Sequence, residues 1–129
     1  MADTMDKWQA QQSFWSGFGL TAYDEMTVPD DAVMPYITYE AVAGNIGAKT
    51  QVSASLWYRS NSWQEICKKA DLIAATISAD ERPAIKIDNG YMMVRLPDGV
   101  MHSDRMDEPT DSSVRRIRFV VELEFLTRY

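Results

Sequence analysis

The chain ends in an unusually long alternation of apolar and charged side chains, from Val114 to Tyr129. A period of two is typical of a strand with one buried face. Strands usually run to about 5–6 residues, so this length predicts a platform for something outside the monomer or an edge that a neighbouring copy covers. The apolar set is Ile117, Phe119, Val121, Leu123 and Phe125, and the charged set is Arg116, Arg118, Glu122 and Glu124.

The N-terminal segment has helical spacing instead. Its large apolar residues recur along one side of a helix over about residues 4–18, with Gly17 and Gly19 as terminators. The aromatic members are either core anchors or a patch kept for a partner. The apolar set is Met5, Trp8, Trp15 and Phe18.

A second helix begins at Ser62 and runs to Ile77. Ser62 and Glu65 have the spacing of a capping box. The apolar stripe that follows predicts a helix packed on a sheet, with Cys67 on its buried side. The stripe comprises Trp63, Ile66, Cys67, Ala70, Ile73, Ala74 and Ile77.

Between the helices, alternation predicts strands at residues 36–43 and 50–59, joined by a turn at residues 44–47 into an antiparallel hairpin. Residues 20–34, rich in Asp, Thr and Pro, are predicted to form a loop. The serines that alternate with the apolar residues of the second strand are expected to lie outside the deep core.

A second hairpin is predicted around Asn89-Gly90, the dipeptide suited to a type I′ turn. That turn would place Ile87 opposite Met92, and Ile85 opposite Val94, on one buried face. The strand ends at Pro97. Residues 100–113 are predicted to form a mobile loop, because they are rich in charge and carry no apolar period.

These elements predict one α+β domain over residues 1–129, with its core in residues 35–129. The order is α-β-β-α-β-β-β, with a mostly antiparallel sheet of about five strands and two helices packed on one face. A chain of this length buries enough surface to fold without a disulfide, and the single Cys67 cannot form an internal one.

The formal net charge of −6 is concentrated in the first 50 residues, which contain seven acidic residues and only two basic ones, Lys7 and Lys49. This balance argues against a free-standing nucleic-acid binder, which needs Lys and Arg to neutralise phosphates. An acidic surface of this kind would suit the lining of a passage through which DNA moves without adhering. No apolar run approaches the roughly 20 residues of a membrane span, and no leader is evident, so we expect a reducing, intracellular setting without membrane contact.

The sequence offers no catalytic constellation. His102 has no second histidine or cysteine at metal-ligand spacing, and Cys67 lies on an apolar helical face, so we expect a surface histidine and an inert buried thiol. Phosphate-cradle, nucleophile-elbow and calcium-loop motifs do not occur. We therefore expect no catalytic residue, cofactor or metal, and no enzyme activity.

Two clusters suggest protein contacts. Trp57, Tyr58 and Arg59 are residue types enriched at interface hot spots, although Trp57 and Tyr58 must face opposite sides of their strand. The final strand is positive at one end and negative at the other, which suits head-to-tail ion pairing between copies. An ordinary solvated face that blocks aggregation is the alternative. The charged residues concerned are Arg115, Arg116, Arg118, Glu122 and Glu124.

The element order resembles the tail terminator and tail completion proteins of long-tailed bacteriophages, which are small minor tail proteins. The resemblance covers about residues 30–129. It rests on the strand from Pro35 to Tyr39, the strand ending in Leu56-Trp57-Tyr58-Arg59-Ser60, the helix from Trp63 to Ile77, and the strand from Arg116 to Val121. The N-terminal helix matches in position only.

The resemblance implies a structural virion assembly protein that folds as a monomer in the host cytoplasm and remains in the virion tail. It would join a hexameric ring on the tail tube, stop tube growth and offer a head-docking surface. Its partners would be other copies of itself, the major tail tube protein and head connector proteins, with DNA as transient cargo through the bore. Alternatives are a head-side neck connector or stopper and a monomeric module for a small ligand or peptide.

Overall fold

The computed structural model describes residues 5–43, 49–78, 84–99 and 101–127, and these form an α+β structure with two helices, as predicted. The predicted turn at residues 44–47 and the final residues 128–129 lie outside the described part. The elements are α1 (Lys7–Ser16), β1 (Thr21–Asp24), β2 (Tyr36–Tyr39), β3 (Lys49–Arg59), α2 (Gln64–Ser78), β4 (Ala84–Ile87), β5 (Gly90–Arg95), β6 (Ser103–Asp107) and β7 (Val114–Thr127).

The strands form one mixed sheet in the order β1-β2-β3-β7-β5-β4, with β6 also paired to β7. Among the pairings between these named strands, only β1–β2 is parallel. Two strands were missed by the sequence prediction: β1 lies in the predicted loop 20–34, and β6 lies in the predicted mobile loop 100–113. Both are short strands at the margin of the sheet, where polar side chains meet solvent and the apolar alternation is lost.

The long strand β7 lies in the middle of the sheet. One of its edges pairs with β3 from Val114 to Glu124, and the other pairs first with β6 and then with β5. The expectation that a neighbouring copy covers an edge of this strand is therefore wrong. Its 14 residues are needed because it supports β6 and β5 in succession.

Helix α1 is shorter than the predicted span of residues 4–18. It starts after Asp6, whose carboxylate accepts a hydrogen bond from the Gln9 amide while the Gln9 side chain accepts one from the Asp6 amide, a complete capping box. Gly17 caps its C-terminus. Trp15 and Phe18 are buried as core anchors, whereas Trp8 is 48 % exposed and lies outside the core.

Helix α2 begins two residues after Ser62, whose hydroxyl oxygen accepts a hydrogen bond from the Gln64 amide at 3.1 Å. The Ser62 amide donates to the Ser60 hydroxyl instead of to Glu65, so Ser60 replaces the predicted second half of the capping box. The apolar face of α2 is oriented toward the core as predicted, although Cys67 is half-buried. Its buried members are Ile66, Ala70, Ile73 and Ile77.

The sheet curls around α1. This helix packs against β1 and β2 at one margin and against β4 at the other, and Met5 forms a backbone bridge to Ile87 of β4. Helix α2 packs on β3, β5 and β7. The Trp15 ring lies 5.9 Å from the Phe119 ring, which places α1 over the same core as the central strand.

The β4–β5 hairpin differs from its prediction by two residues. Ile87 pairs with Gly90, and Ile85 pairs with Met92, so the turn is Asp88-Asn89. A Cβ at Gly90 would overlap the backbone carbonyl of Leu126 on β7, which explains why glycine occupies the strand start. A shift of two residues preserves the faces, and the predicted buried face is therefore retained.

Candidate interaction surface

The sheet has an inner face, covered by the helices, and an outer face that no described element covers. Strand β7 divides its side chains between them. Phe119 on the inner face is fully buried, whereas the alternate positions, from Arg116 to Glu124, are half-buried on the outer face. The outer face therefore holds most of the predicted interface residues.

One end of the outer face carries a continuous row of aromatic rings and a guanidinium, here called the stripe: Tyr23, Tyr36, Trp57 and Arg116. The last three are directly opposite one another on β2, β3 and β7. The Tyr23 and Tyr36 rings meet edge to face at 5.5 Å, and the Tyr36 and Trp57 rings lie 6.3 Å apart. The Arg116 guanidinium lies 4.5 Å above the Trp57 ring, within cation–π range.

Two small hydroxyl residues beneath the stripe fix its orientation. The Trp57 indole N–H donates to Thr38 Oγ1 at 2.9 Å, and Arg116 Nε donates to Ser55 Oγ at 3.1 Å. Thr38 is 7 % exposed and Ser55 is 3 % exposed, so these bonds are largely shielded from water. Ser55 is thus buried although it lies on the outer face, because Trp57 and Arg116 cover it. A stripe held in this way loses little side-chain entropy when a partner binds.

Burial alters the ionisation of the stripe. It lowers the pKa of Arg116 from its ordinary value, and the neighbouring Arg118 lowers it further, while Glu108 and Glu25 act in the opposite direction. Burial also raises the pKa of the Tyr36 hydroxyl, with a smaller contribution from Tyr23. The guanidinium of Arg116 would therefore gain from a carboxylate supplied by a partner.

The charged residues on the outer side of β7 are Arg116, Arg118, Glu122 and Glu124, here called the charge row. Glu124 forms an ion pair of 3.2 Å with Arg95 on β5. The remaining ion pair among the described residues joins Arg59 to Asp111. Arg116, Arg118 and Glu122 take part in neither of these pairs, although Asp104 lies across from Arg118 and Arg95 lies across from Glu122 in the strand register.

The structure separates Tyr58 and Arg115 from this face. Tyr58 packs against the core, and burial followed by Glu65 raises the pKa of its hydroxyl. Arg115 also points to the inner side, where its guanidinium lies 5.3 Å from the Trp63 ring and Arg105 lies 5.2 Å from the same ring. Grouping Arg115 with Arg116 and Arg118 in one surface is therefore wrong, because adjacent strand residues face opposite sides.

Arg59, the third residue of the predicted aromatic cluster, ties down the segment before β7. Its guanidinium contacts Asp111 at 2.6 Å and the Ser113 hydroxyl at 2.8 Å. The Ser113 hydroxyl and then Arg59 hold the pKa of Asp111 well below its ordinary value. Residues 108–113, predicted to be mobile, are anchored by these bonds.

The remaining chemistry of the described residues is sparse. His102 is exposed, and no three His, Cys, Asp or Glu side chains in the described ranges lie close enough to hold a metal ion. A cavity of about 360 Å³ at one end of the sheet brings together charges of both signs. It is lined by Lys49, Ile77, Ser78, Arg95, Leu96, Gly99 and Glu122.

Comparison with protein-family models, with curated proteins and with solved structures finds no match to this chain. Across the described ranges, neither helix has the length and apolar character that a bilayer span requires.

Sequence reasoning missed the tyrosine half of the stripe. Tyr23 lies in the segment predicted to be a loop, so no strand face could be assigned to it. Tyr36 was placed on a strand, but its position opposite Trp57 depends on the hairpin register, which the residues 44–47 alone do not specify. The alternation itself was sufficient to place Trp57 and Arg116 on the side away from the core.

Proposed function

We propose that this protein is a structural component of a bacteriophage tail that caps the head-proximal end of the tail tube as a ring of six copies, stops tube growth and offers a docking surface to the head. The proposal combines the resemblance with one observation, the ordered stripe on the outer face. It assigns the chain no catalytic role.

The stripe supports a contact role because its composition and its order both suit binding to protein. Tyr, Trp and Arg are the residue types that dominate the energy of protein interfaces. The Trp57 indole N–H and Arg116 Nε are already paired with Thr38 and Ser55, so a partner can cover them without leaving these two groups unsatisfied. The charge row beside the stripe supplies specificity for a partner with complementary charges.

The experiment is the removal of this gene product from the encoding phage, followed by electron microscopy of the tails. We expect overlong tubes without it. Complementation with Arg116→Glu/Arg118→Glu should also give overlong tubes, because the variant inverts the charge of the contact face, whereas Lys68→Glu on the exposed side of α2 should restore normal tails.

The other outcomes distinguish the rival roles. Tails of regular length that lack heads would contradict the terminator role and favour a head-side neck connector or stopper. Tails of normal length that still join heads in the double variant would remove the outer face from tail assembly.

A further inference from the structure

The charge row has an order that pairs with its own reverse. Along the outer side of β7, Arg116 and Arg118 come before Val120, and Glu122 and Glu124 follow it at the same spacing. A second copy turned end over end about Val120 would therefore present an acid to each arginine of the charge row and an arginine to each of its acids, with Glu124 shared between this contact and Arg95 of its own chain. This self-complementarity is what an isologous, twofold interface requires.

We propose that a second copy of this chain docks face to face on the outer face of the sheet, with the twofold axis at Val120. Arg118 then meets Glu122 of the second copy, and Arg116 meets its Glu124. Each contact occurs twice because the axis relates the two copies. The inference rests on the charge order and holds whether or not the protein caps a tail tube.

The position of β7 makes this contact accessible. β7 lies in the middle of a sheet that curls around α1, so its outer side forms the crest of the convex face. The residue opposite Val120 on β3 is Ser53, and both side chains are small enough for close approach at the axis. Faces of packed sheets lie about 10 Å apart, a gap that arginine and glutamate side chains together can bridge.

A head-to-tail arrangement fits these charges less well. The arginines and the acids lie on one face of one strand, whereas a heterologous ring needs complementary patches on different sides of the subunit. The twofold pair uses both halves of the charge row at once. Because it covers Arg116, the member of the stripe on β7, the pair must separate before this part of the outer face can contact any other protein.

A cysteine at the axis tests the geometry, since only there does a residue face its own copy. In a Cys67→Ser background, Val120→Cys should form a covalent dimer with a short bis-maleimide reagent, because sheets packed about 10 Å apart hold the two thiols too far from each other for a direct disulfide. The matched control is Tyr91→Cys, on the same face but 49 % exposed at the far hairpin. It should remain a monomer on a non-reducing gel. Failure of Val120→Cys to cross-link, or equal cross-linking of both variants, would overturn the proposal.

Charge reversal tests the pairing without a covalent bond. Arg118→Glu and Glu122→Arg each leave the described ion pairs intact. Each alone places like charges together at two contacts and should weaken dimerisation about tenfold or more. An equimolar mixture restores opposite charges and should give a heterodimer by native mass spectrometry. The inference would be contradicted if either variant alone dimerised as strongly as the natural chain. It would also be contradicted if the mixture stayed monomeric.

Discussion

The inner and outer sides of β7 differ in what holds their side chains in place. On the inner side, Phe119 and its apolar neighbours are fixed by the helices and by one another. On the outer side, Arg116 is fixed by a ring and a hydroxyl, and Arg118 lies beside it without an ion pair among the described residues. The first side forms part of the folded core, and the second is the side for which we propose a role in association. Substitutions on the two sides should therefore change different measurements.

The largest effect is expected on the inner side. Phe119→Ala removes a fully buried ring in contact with Trp15 and should lower the free energy of unfolding by about 3–5 kcal/mol. The neighbouring Val120→Ala, on the outer side, should cost less than about 1 kcal/mol. Urea denaturation of both variants measures the difference. Equal losses at the two positions would contradict the division of β7 into a folding side and an association side.

A backbone contact gives the next largest effect. Gly90→Ala would force a Cβ against the Leu126 carbonyl and should destabilise the fold by about 2 kcal/mol or more. Gly99→Ala is the control, because Gly99 has a positive φ of 75° but open space around it, and should cost about 1 kcal/mol. Thermal unfolding compares the pair. A milder effect at Gly90 than at Gly99 would argue against the observed β5–β7 register.

The stripe should contribute modestly to stability. Trp57→Leu loses the indole bond to Thr38 and the contact with Arg116, which should lower the free energy of unfolding by about 1 kcal/mol. It should also weaken self-association by more than this stability loss explains. Sedimentation velocity on the folded variant measures the association. An unchanged sedimentation coefficient would show that the Trp57 side chain does not contribute to the interface.

The smallest effect is a pH dependence at the Arg59–Asp111 pair. The pKa of Asp111 in the folded state lies below its ordinary value of 3.8, so its carboxylate stabilises the fold above that pH. The stabilisation is lost as the pH falls from about 4 through the lowered folded pKa. The stability difference between the natural chain and Asp111→Asn should therefore shrink on acidification. A difference that grows at low pH would contradict the sign of the shift.

In an Arg59→Ala background, this pH dependence should be smaller but still present, because the Ser113 hydrogen bonds to Asp111 remain. Chemical denaturation at several pH values provides both measurements.

Much of the sheet could be predicted because alternation reports which side chains are buried. It assigned the buried and exposed faces of β3 and β7 and the apolar face of α2 without any tertiary information. It failed for β1 and β6, whose residues have few buried neighbours and therefore no apolar period. It also failed at Gly90, where the contact that selects glycine comes from Leu126, distant in sequence.

The candidate site was predictable to a lesser extent. The alternation separates Trp57 from Tyr58 and identifies the charge row, because both depend on a single strand. The stripe depends on how β1, β2, β3 and β7 align, and that alignment is set by pairing across the sheet. A local pattern in the sequence carries no information about it, so Tyr23 and Tyr36 emerged only from the structure.

The central claim is that the outer side of β7 serves association and not folding. The most direct measurement applies urea denaturation and sedimentation equilibrium to one variant, Arg118→Glu, with Lys68→Glu as control. The account predicts an unfolding free energy within about 1 kcal/mol of the natural chain, and a shift from dimer to monomer for Arg118→Glu alone. An Arg118→Glu protein that retains its dimer mass but loses stability would contradict it.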